Sequence, residues 1–331
     1  MSISSNIKII SQLLKASRPE WCFIFAGVVL MIEIYYNVPY ENLWIGILSI
    51  FLFGWGHFSL NAFTDKESDR INPRKLSLRN PFTDESSAVK KIHIILWTSS
   101  IWVLVFLLNL VHTPNPSIEK WIVGSTLIIF SFFVSISYSV SSLGRLKARP
   151  VLDLISTAAI FAFLIPLYLY LIPAEIRIET SGLILDFPST LGRFFEGTLF
   201  TTLLVLGIHM PTVLGDLEQD RQVGDMTTAV WLDAKNKDFP FYFTAGMILL
   251  RVIGFALMNL LLMASSVITP SYLPFILGII EILLVRRMLR EKNRQGVISL
   301  WKGVILTSII GGILFAALFF DANPLIYASY T

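Results

Sequence analysis

The chain has 331 residues, of which 54% are hydrophobic and 15% charged, with a formal net charge of +3. A soluble domain carries roughly 25% charge, so this composition excludes an ordinary soluble enzyme and indicates an integral membrane protein. The small net charge gives no basis for a nucleic-acid partner, and the one cysteine, Cys22, cannot form an internal disulfide and reads as a small packed hydrophobe.

In chain order, residues 1–19 come first. Ile7, Ile10, Leu13 and Leu14 recur there at helical spacing, with Lys8 and Lys15 between. That pattern predicts a short amphipathic helix on the membrane surface; a frayed tail is the alternative. No cleavable signal peptide is expected, because the first apolar run lacks a small-residue cleavage site. Nine apolar runs of about membrane-spanning length follow, near 20–36, 42–62, 92–112, 120–140, 151–172, 197–215, 240–264, 271–285 and 303–320. The expected architecture is an all-α polytopic bundle of nine transmembrane helices, residues 1–331 forming one domain.

Lys and Arg locate the two sides. The segments before 20, 63–91, 141–150, 216–239 and 286–302 hold 22 of the 26 basic residues. By the positive-inside rule these segments and the N-terminus are cytoplasmic, and the C-terminus lies opposite. The 173–196 segment is expected to be an external loop.

Two stretches 151 residues apart read D-x-E-x-D-R: Asp65 to Arg70 and Asp216 to Arg221. Both close a long apolar run on the same predicted side. On a helix, Asp65 and Asp69, and likewise Asp216 and Asp220, share one face a turn apart. Asn61 extends the first set by one turn, and Glu218 is a further acid in the second. Placing even one Asp in hydrocarbon costs roughly 2.5–3.5 kcal/mol, and four converging carboxylates repel. Hard oxygen donors in this pattern suit Mg²⁺, which binds through a few carboxylates together with substrate phosphates. A solvated charged loop is the plainer reading of either stretch alone; the repetition on one face argues against it.

His57, one turn before Asn61, reads as a packed core imidazole rather than a catalytic one. Basic residues follow each acidic set: Arg70, Arg74, Lys75 and Arg79 after the first, Arg221 after the second. Arg145, Lys147 and Arg149 follow the fourth span. Arginine suits bidentate contact with phosphate oxygens and lysine acts as a point charge; some of these residues serve only the positive-inside bias. Spans four and five carry Phe130, Phe132, Phe133, Tyr138, Phe161, Phe163, Tyr168 and Tyr170. Most are packing residues, but ring faces lining a cavity would stabilise a carbocation.

These residues resemble the UbiA superfamily of intramembrane prenyltransferases. Its pattern is N-D-x-x-D-x-x-x-D after the second span and D-x-x-x-D after the sixth, in a nine-helix bundle. Asn61 through Asp69 matches the first except that Ala62 replaces the usual Asp. Asp216 to Asp220, with Gly224 and Thr227 beyond, matches the second, and Ser17-Arg18-Pro19-Glu20-Trp21 is similar to the family's start of span one. Asn72-Pro73-Arg74-Lys75, Tyr138-Ser139, Arg145 to Pro150 with Asp153, and Thr227-Thr228-Ala229 are similar to the carotenoid (lycopene) elongase subgroup. Ser141 and Ser142 stand where that subgroup has prolines.

The resemblance implies Mg²⁺-dependent transfer of a prenyl group from an isoprenyl diphosphate donor to a lipophilic acceptor within the bilayer. In that reading Asp65, Asp69, Asp216 and Asp220 are the metal ligands and catalytic acids. Asn61, Arg74, Arg79, Arg145, Lys147 and Arg221 contact the diphosphate, and Asp153 is a candidate proton acceptor or, more plainly, an acid at a helix N-terminus. Quinone, chlorophyll and ether-lipid precursors are alternative acceptors. A membrane terpene cyclase of the same fold is a rival, as is a cation-coupled transporter, which would place acids near the bilayer midplane on broken helices.

Overall fold

A computed structural model describes residues 3–35, 40–71, 80–83, 87–112, 118–164, 177–179, 182–184, 187–264 and 271–322. Thirteen helices are assigned within these residues: α1 Ile3–Ala16, α2 Pro19–Tyr35, α3 Tyr40–Thr64, α4 Lys66–Arg70, α5 Lys91–His112, α6 Ile118–Ser139, α7 Leu152–Leu164, α8 Phe187–Gly215, α9 Leu217–Val223, α10 Thr228–Lys235, α11 Phe239–Ala264, α12 Leu273–Glu291 and α13 Arg294–Ala322. Two 3₁₀ turns join α6 to α7.

Six helices are long and apolar enough to cross a membrane: α3, α5, α6, α8, α11 and α13. The chain is an integral membrane protein. The predicted count of nine rests on three further stretches that are shorter or more charged. They are α2, α12 with its basic C-terminal end, and α7, whose last turns, Ala159–Leu164, are π-helical.

Packing runs around the bundle in a closed circuit. α2 lies on α3, α3 on α5 and α6, α6 on α7 and α7 on α8. α8 then packs on α11, α11 on α12 and α12 on α13, and α13 returns to α2. The first half centres on Phe53, Trp102, Ile128 and Phe161; the second on Ile208, Ile248, Met288 and Leu300. Phe130 and Phe133 point outward, at 51% and 54% exposure, as expected of side chains that meet lipid rather than core.

Three elements depart from the hydropathy reading. α8 begins at Phe187, ten residues before the apolar run, and α12 and α13 extend into the basic segment between them. Hydropathy marks where a helix is apolar, not where it stops; Arg286, Arg287, Arg290 and Glu291 are good helix formers. The predicted external loop also contains a small antiparallel hairpin, Arg177–Glu179 with Gly182–Ile184.

α1 is helical, and it docks by Ile9, Leu13 and Ala16 against Ala62, Phe82 and Ile94. Ile7, Ile10 and Leu14 remain exposed. Ser17 fixes the turn into α2: its Oγ donates to the Leu13 carbonyl and shares a hydrogen bond with Ser59 Oγ at 2.9 Å.

Candidate active site

Both acidic motifs fold the same way. α3 gives way to α4 at Asp65, with φ −93° and ψ 2°; α8 gives way to α9 at Asp216, with φ −100° and ψ 0°. These values lie in the bridge region. The backbone stays bonded across each break, Asp65 N to Asn61 O at 3.0 Å and Asp216 N to Thr212 O at 3.1 Å. Thr64 Oγ1 donates to the Asn61 carbonyl and Ser68 Oγ to the Asp65 carbonyl, local bonds that compete with regular helix.

α4 and α9 are in contact, and the motifs share one cavity of about 80 Å³. Asn61, Asp65, Ser68, Tyr138, Lys147, Asp153, His209, Val213, Asp216, Asp220, Asp225 and Thr227 line it. Asp65 and Asp216 are buried. Lys147, also buried, binds Asp65 Oδ1 and donates to Asn61 Oδ1 at 2.7 Å. Arg145 lies beside the cavity: its Nη2 is 2.8 Å from Asp225 Oδ2 and 3.6 Å from Asp65 Oδ1. Thr227 Oγ1 donates to Asp220 Oδ2 at 3.2 Å. Among the described residues, no three His, Cys, Asp or Glu side chains form a metal cage by themselves. The donors facing the cavity are nonetheless hard oxygens, which fits a cation completed by ligand phosphates.

The segment carrying Arg145 and Lys147 is held in unusual backbone. Gly144, Arg145 and Val151 have φ of 106°, 42° and 68°, and for a β-branched residue such as Val151 a positive φ is an outlier. The segment is stitched to the chain beyond the second motif. Met226 N donates to Ala148 O at 3.1 Å and Val151 N to Thr228 Oγ1 at 2.8 Å. The Asp153 carboxylate takes the Thr228 N–H at 2.9 Å and the Thr228 hydroxyl, besides the Leu154 N–H at 2.8 Å. Both of its oxygens are therefore engaged, which is the work of a helix-terminal anchor more than of a free base.

Other expected site residues lie elsewhere. Asp69 is buried but does not line the cavity; it accepts from Asn80 Nδ2 at 2.8 Å. Arg221 turns outward to Asp233, and Arg70 to Glu67 and the Thr83 carbonyl. Glu67 and Glu218 are exposed. So in both motifs the middle acid and the final Arg lie off the cavity, around the helix from Asp65 in the first and from Asp216 and Asp220 in the second. Arg74 and Arg79 lie outside the described residues, as do Lys75, Tyr168 and Tyr170.

Ala62 packs in the Phe82 and Ile94 cluster, and the Asn80 amide that donates to its carbonyl also donates to Asp69. His57 is packed: its Nδ1 is 2.7 Å from Ser135 Oγ, and its ring lies among Phe58, Tyr138 and Phe161. Below the acids, Phe161 stacks on Phe25 at 4.0 Å between ring centroids and on Phe58 at 6.1 Å.

Asp225, His209, Ser68 and Thr227 were not picked out as site residues from sequence. His209 lies seven residues before Asp216, much as His57 lies eight before Asp65, and that parallel was a readable cue. A second, larger groove of about 970 Å³ runs between α1 and α13, with Leu14, Trp21, Ile305 and Ile309 among its walls. It reaches Ala62 and Asn80, the immediate neighbours of Asn61 and Asp69.

The described fold is that of solved UbiA homologues. A homologue from Archaeoglobus fulgidus, bound to GPP and Mg²⁺, aligns with a TM-score of 0.57 and 17% identity over 94% of this chain and 99% of that one. An apo homologue from Aeropyrum pernix K1 gives 0.61 and 14% over 91% and 99%. A digeranylgeranylglyceryl phosphate synthase structure gives 0.54 and 17% over 92% and 98%. No protein-family model matches the sequence, and no curated protein is significantly similar to it.

Proposed function

We propose that this chain is an intramembrane prenyltransferase of the UbiA type, transferring a prenyl group from an allylic diphosphate to a lipophilic acceptor. The observation that carries this reading is one cavity lined by Asp65, Asp216 and Asp220, with Lys147 inside it and Arg145 at its edge. Among solved proteins of this fold, one was bound to GPP and Mg²⁺ and another to DMAPP and Mg²⁺.

Mg²⁺ would be held by Asp65, Asp216 and Asp220, with Asn61 beside them and Asp69 supporting from behind. When bound, it supplies charge neutralisation for the diphosphate, lowering the barrier to ionising the allylic C–O bond. The protein's own groups do the rest. A diphosphate head enters this cavity as Lys147 exchanges Asp65 for phosphate oxygens. Arg145 adds a second positive charge at the rim. Both then stabilise the leaving group as negative charge grows on it. Arg74 and Arg79 remain proposals for the same task, whereas the outward turn of Arg221 argues against a direct one.

The allyl cation would form deeper, beside Tyr138, Val213 and the Phe161 stack, where ring faces favour positive charge and water is excluded. The acceptor's π-bond attacks it, and the resulting cation loses a proton or takes up water. Asp153 borders this space, but its bonds to Thr228 make it an anchor before a base. The apolar groove beside α13 suits a long hydrocarbon acceptor. The residues around 72–75, 145–153 and 227–229 favour a carotenoid, with quinone, chlorophyll and ether-lipid precursors as alternatives. In this reading the site opens to the cytoplasm, where the basic segments lie.

Incubating the purified protein with labelled dimethylallyl or geranylgeranyl diphosphate, Mg²⁺ and single acceptors tests it. Prenylated product that requires both acceptor and metal supports transfer. Diphosphate release without an acceptor supports a cyclase, and no release with any donor supports the transporter reading.

A further inference from the structure

We propose that Asp225, which belongs to neither repeated motif, is a positioning residue that holds Arg145 at the diphosphate site and thereby ties the two acidic motifs together. The assignment rests on the prenyl-transfer reading above. It starts from local geometry. Gly224 ends α9 in the left-handed conformation at φ 81°, and Asp225 N donates back to Asp220 O at 2.8 Å. This six-to-one closure is a Schellman turn. It fixes Asp225 relative to Asp220, the last acid of the second motif, and brings its side chain to the cavity wall.

Asp225 Oδ2 meets Arg145 Nη2 at 2.8 Å, while the same Nη2 stands 3.6 Å from Asp65. The connection thus runs from Asp220 through Asp225 and Arg145 to Asp65, across the cavity. Among the described residues, Asp225 takes the one side-chain hydrogen bond of Arg145, beside the longer ion pair to Asp65. The Arg145 backbone is left-handed at φ 42°, and its buried Nε has no hydrogen-bond partner among the described residues. A guanidinium anchored by one nitrogen keeps further N–H donors for oxyanions. The pair is also partly shielded, with side-chain exposures of 26% for Arg145 and 13% for Asp225, so it is not a freely solvated surface contact. Met226 N to Ala148 O, at 3.1 Å, holds the two backbones in register beside it.

The test is a double-mutant cycle read by binding. Inorganic pyrophosphate with Mg²⁺ is titrated calorimetrically into the full-length protein, as wild type, Asp225→Asn, Arg145→Gln and the double variant. Asp225→Asn is expected to weaken pyrophosphate binding about tenfold, and to add less than about twofold once Arg145 is already Gln. Asp225→Glu, which keeps the carboxylate, is expected to recover most of the affinity and guards against loss of fold. Equal weakening by Asp225→Asn in both backgrounds would mean that Asp225 acts independently of Arg145, and would overturn the assignment. So would unchanged pyrophosphate affinity with only a lower melting temperature, the signature of a structural latch. Wild-type protein that binds no pyrophosphate would overturn the prenyl-transfer reading itself, and this assignment with it.

Discussion

Asp65 and Asp216 repeat one local structure: each sits at φ/ψ near −95°/0° where a membrane-length helix breaks into a short one. Each directs a buried carboxylate into the same cavity. Two residues 151 positions apart thus act as a matched pair. Removing either carboxylate takes one of the facing oxygen donors out of the cavity that Lys147 shares. Asp65→Asn and Asp216→Asn should each lower prenyl-transfer kcat by about 100-fold or more, the scale of losing one preorganised electrostatic contact. Helix content by circular dichroism should stay within error. Near-normal turnover in either variant removes that residue from the site.

Arg70 and Arg221 close the two repeated motifs but contact Glu67 and Asp233 on the outside. Exposed ion pairs contribute about 0–1 kcal/mol. Arg221→Gln should therefore leave KM for the allylic diphosphate within about twofold and cost at most about 1 kcal/mol of stability. A tenfold rise in KM would bring Arg221 into the site.

Asp153 separates an anchor from a base. Asp153→Ala strips partners from the buried Thr228 N–H and hydroxyl, a loss of about 1–3 kcal/mol per unsatisfied group. Its melting temperature should fall clearly. Asp153→Asn, which keeps one of the two acceptor oxygens, should fall less and should give the same products. A changed product double-bond position in Asp153→Asn would instead identify a proton acceptor.

A second buried polar cluster lies in the other half of the bundle. Arg251 pairs with Glu281, donates to Ser308 Oγ at 2.7 Å, and shares Glu281 with Thr307. Gly207 allows the approach: a Cβ there would stand 2.5 Å from Arg251 Cβ. Breaking such a pair typically costs about 3–5 kcal/mol, whereas replacing both partners by apolar residues is often neutral. Thermal unfolding in detergent should show Glu281→Ala strongly destabilised and Arg251→Met/Glu281→Leu largely restored. Equal loss in both would mean that packing, not the stranded charge, sets the effect.

Much of this arrangement was legible in the sequence because spacing is geometry. An i, i+4 pair of Asp on a helix end defines an inner face, and the repeated pattern placed two such faces on one side of the membrane. Lys147 was legible from its charge and position. The outward turn of Arg221 was legible too, but from helical phase rather than from nearness to an acid: one residue after Asp220, it lies about 100° around the helix from it. Asp225 was hidden: only the left-handed turn at Gly224 swings it back to the cavity. The double bonding of Asp153 to Thr228 depends on contacts 75 residues apart, beyond the reach of local pattern. Hydropathy likewise found the apolar runs but not the polar helix ends at 187–196 and 286–291.

The most direct test of the central claim, that both motifs grip one metal-bound diphosphate, uses Mn²⁺ as a spectroscopic substitute for Mg²⁺. Mn²⁺ is titrated into the wild-type protein with an unreactive allylic thiodiphosphate, and bound metal is read by electron paramagnetic resonance. Tight Mn²⁺ binding should require the analogue and should be lost in both Asp65→Asn and Asp216→Asn. Binding that survives in either variant, or that ignores the analogue, would contradict a shared site.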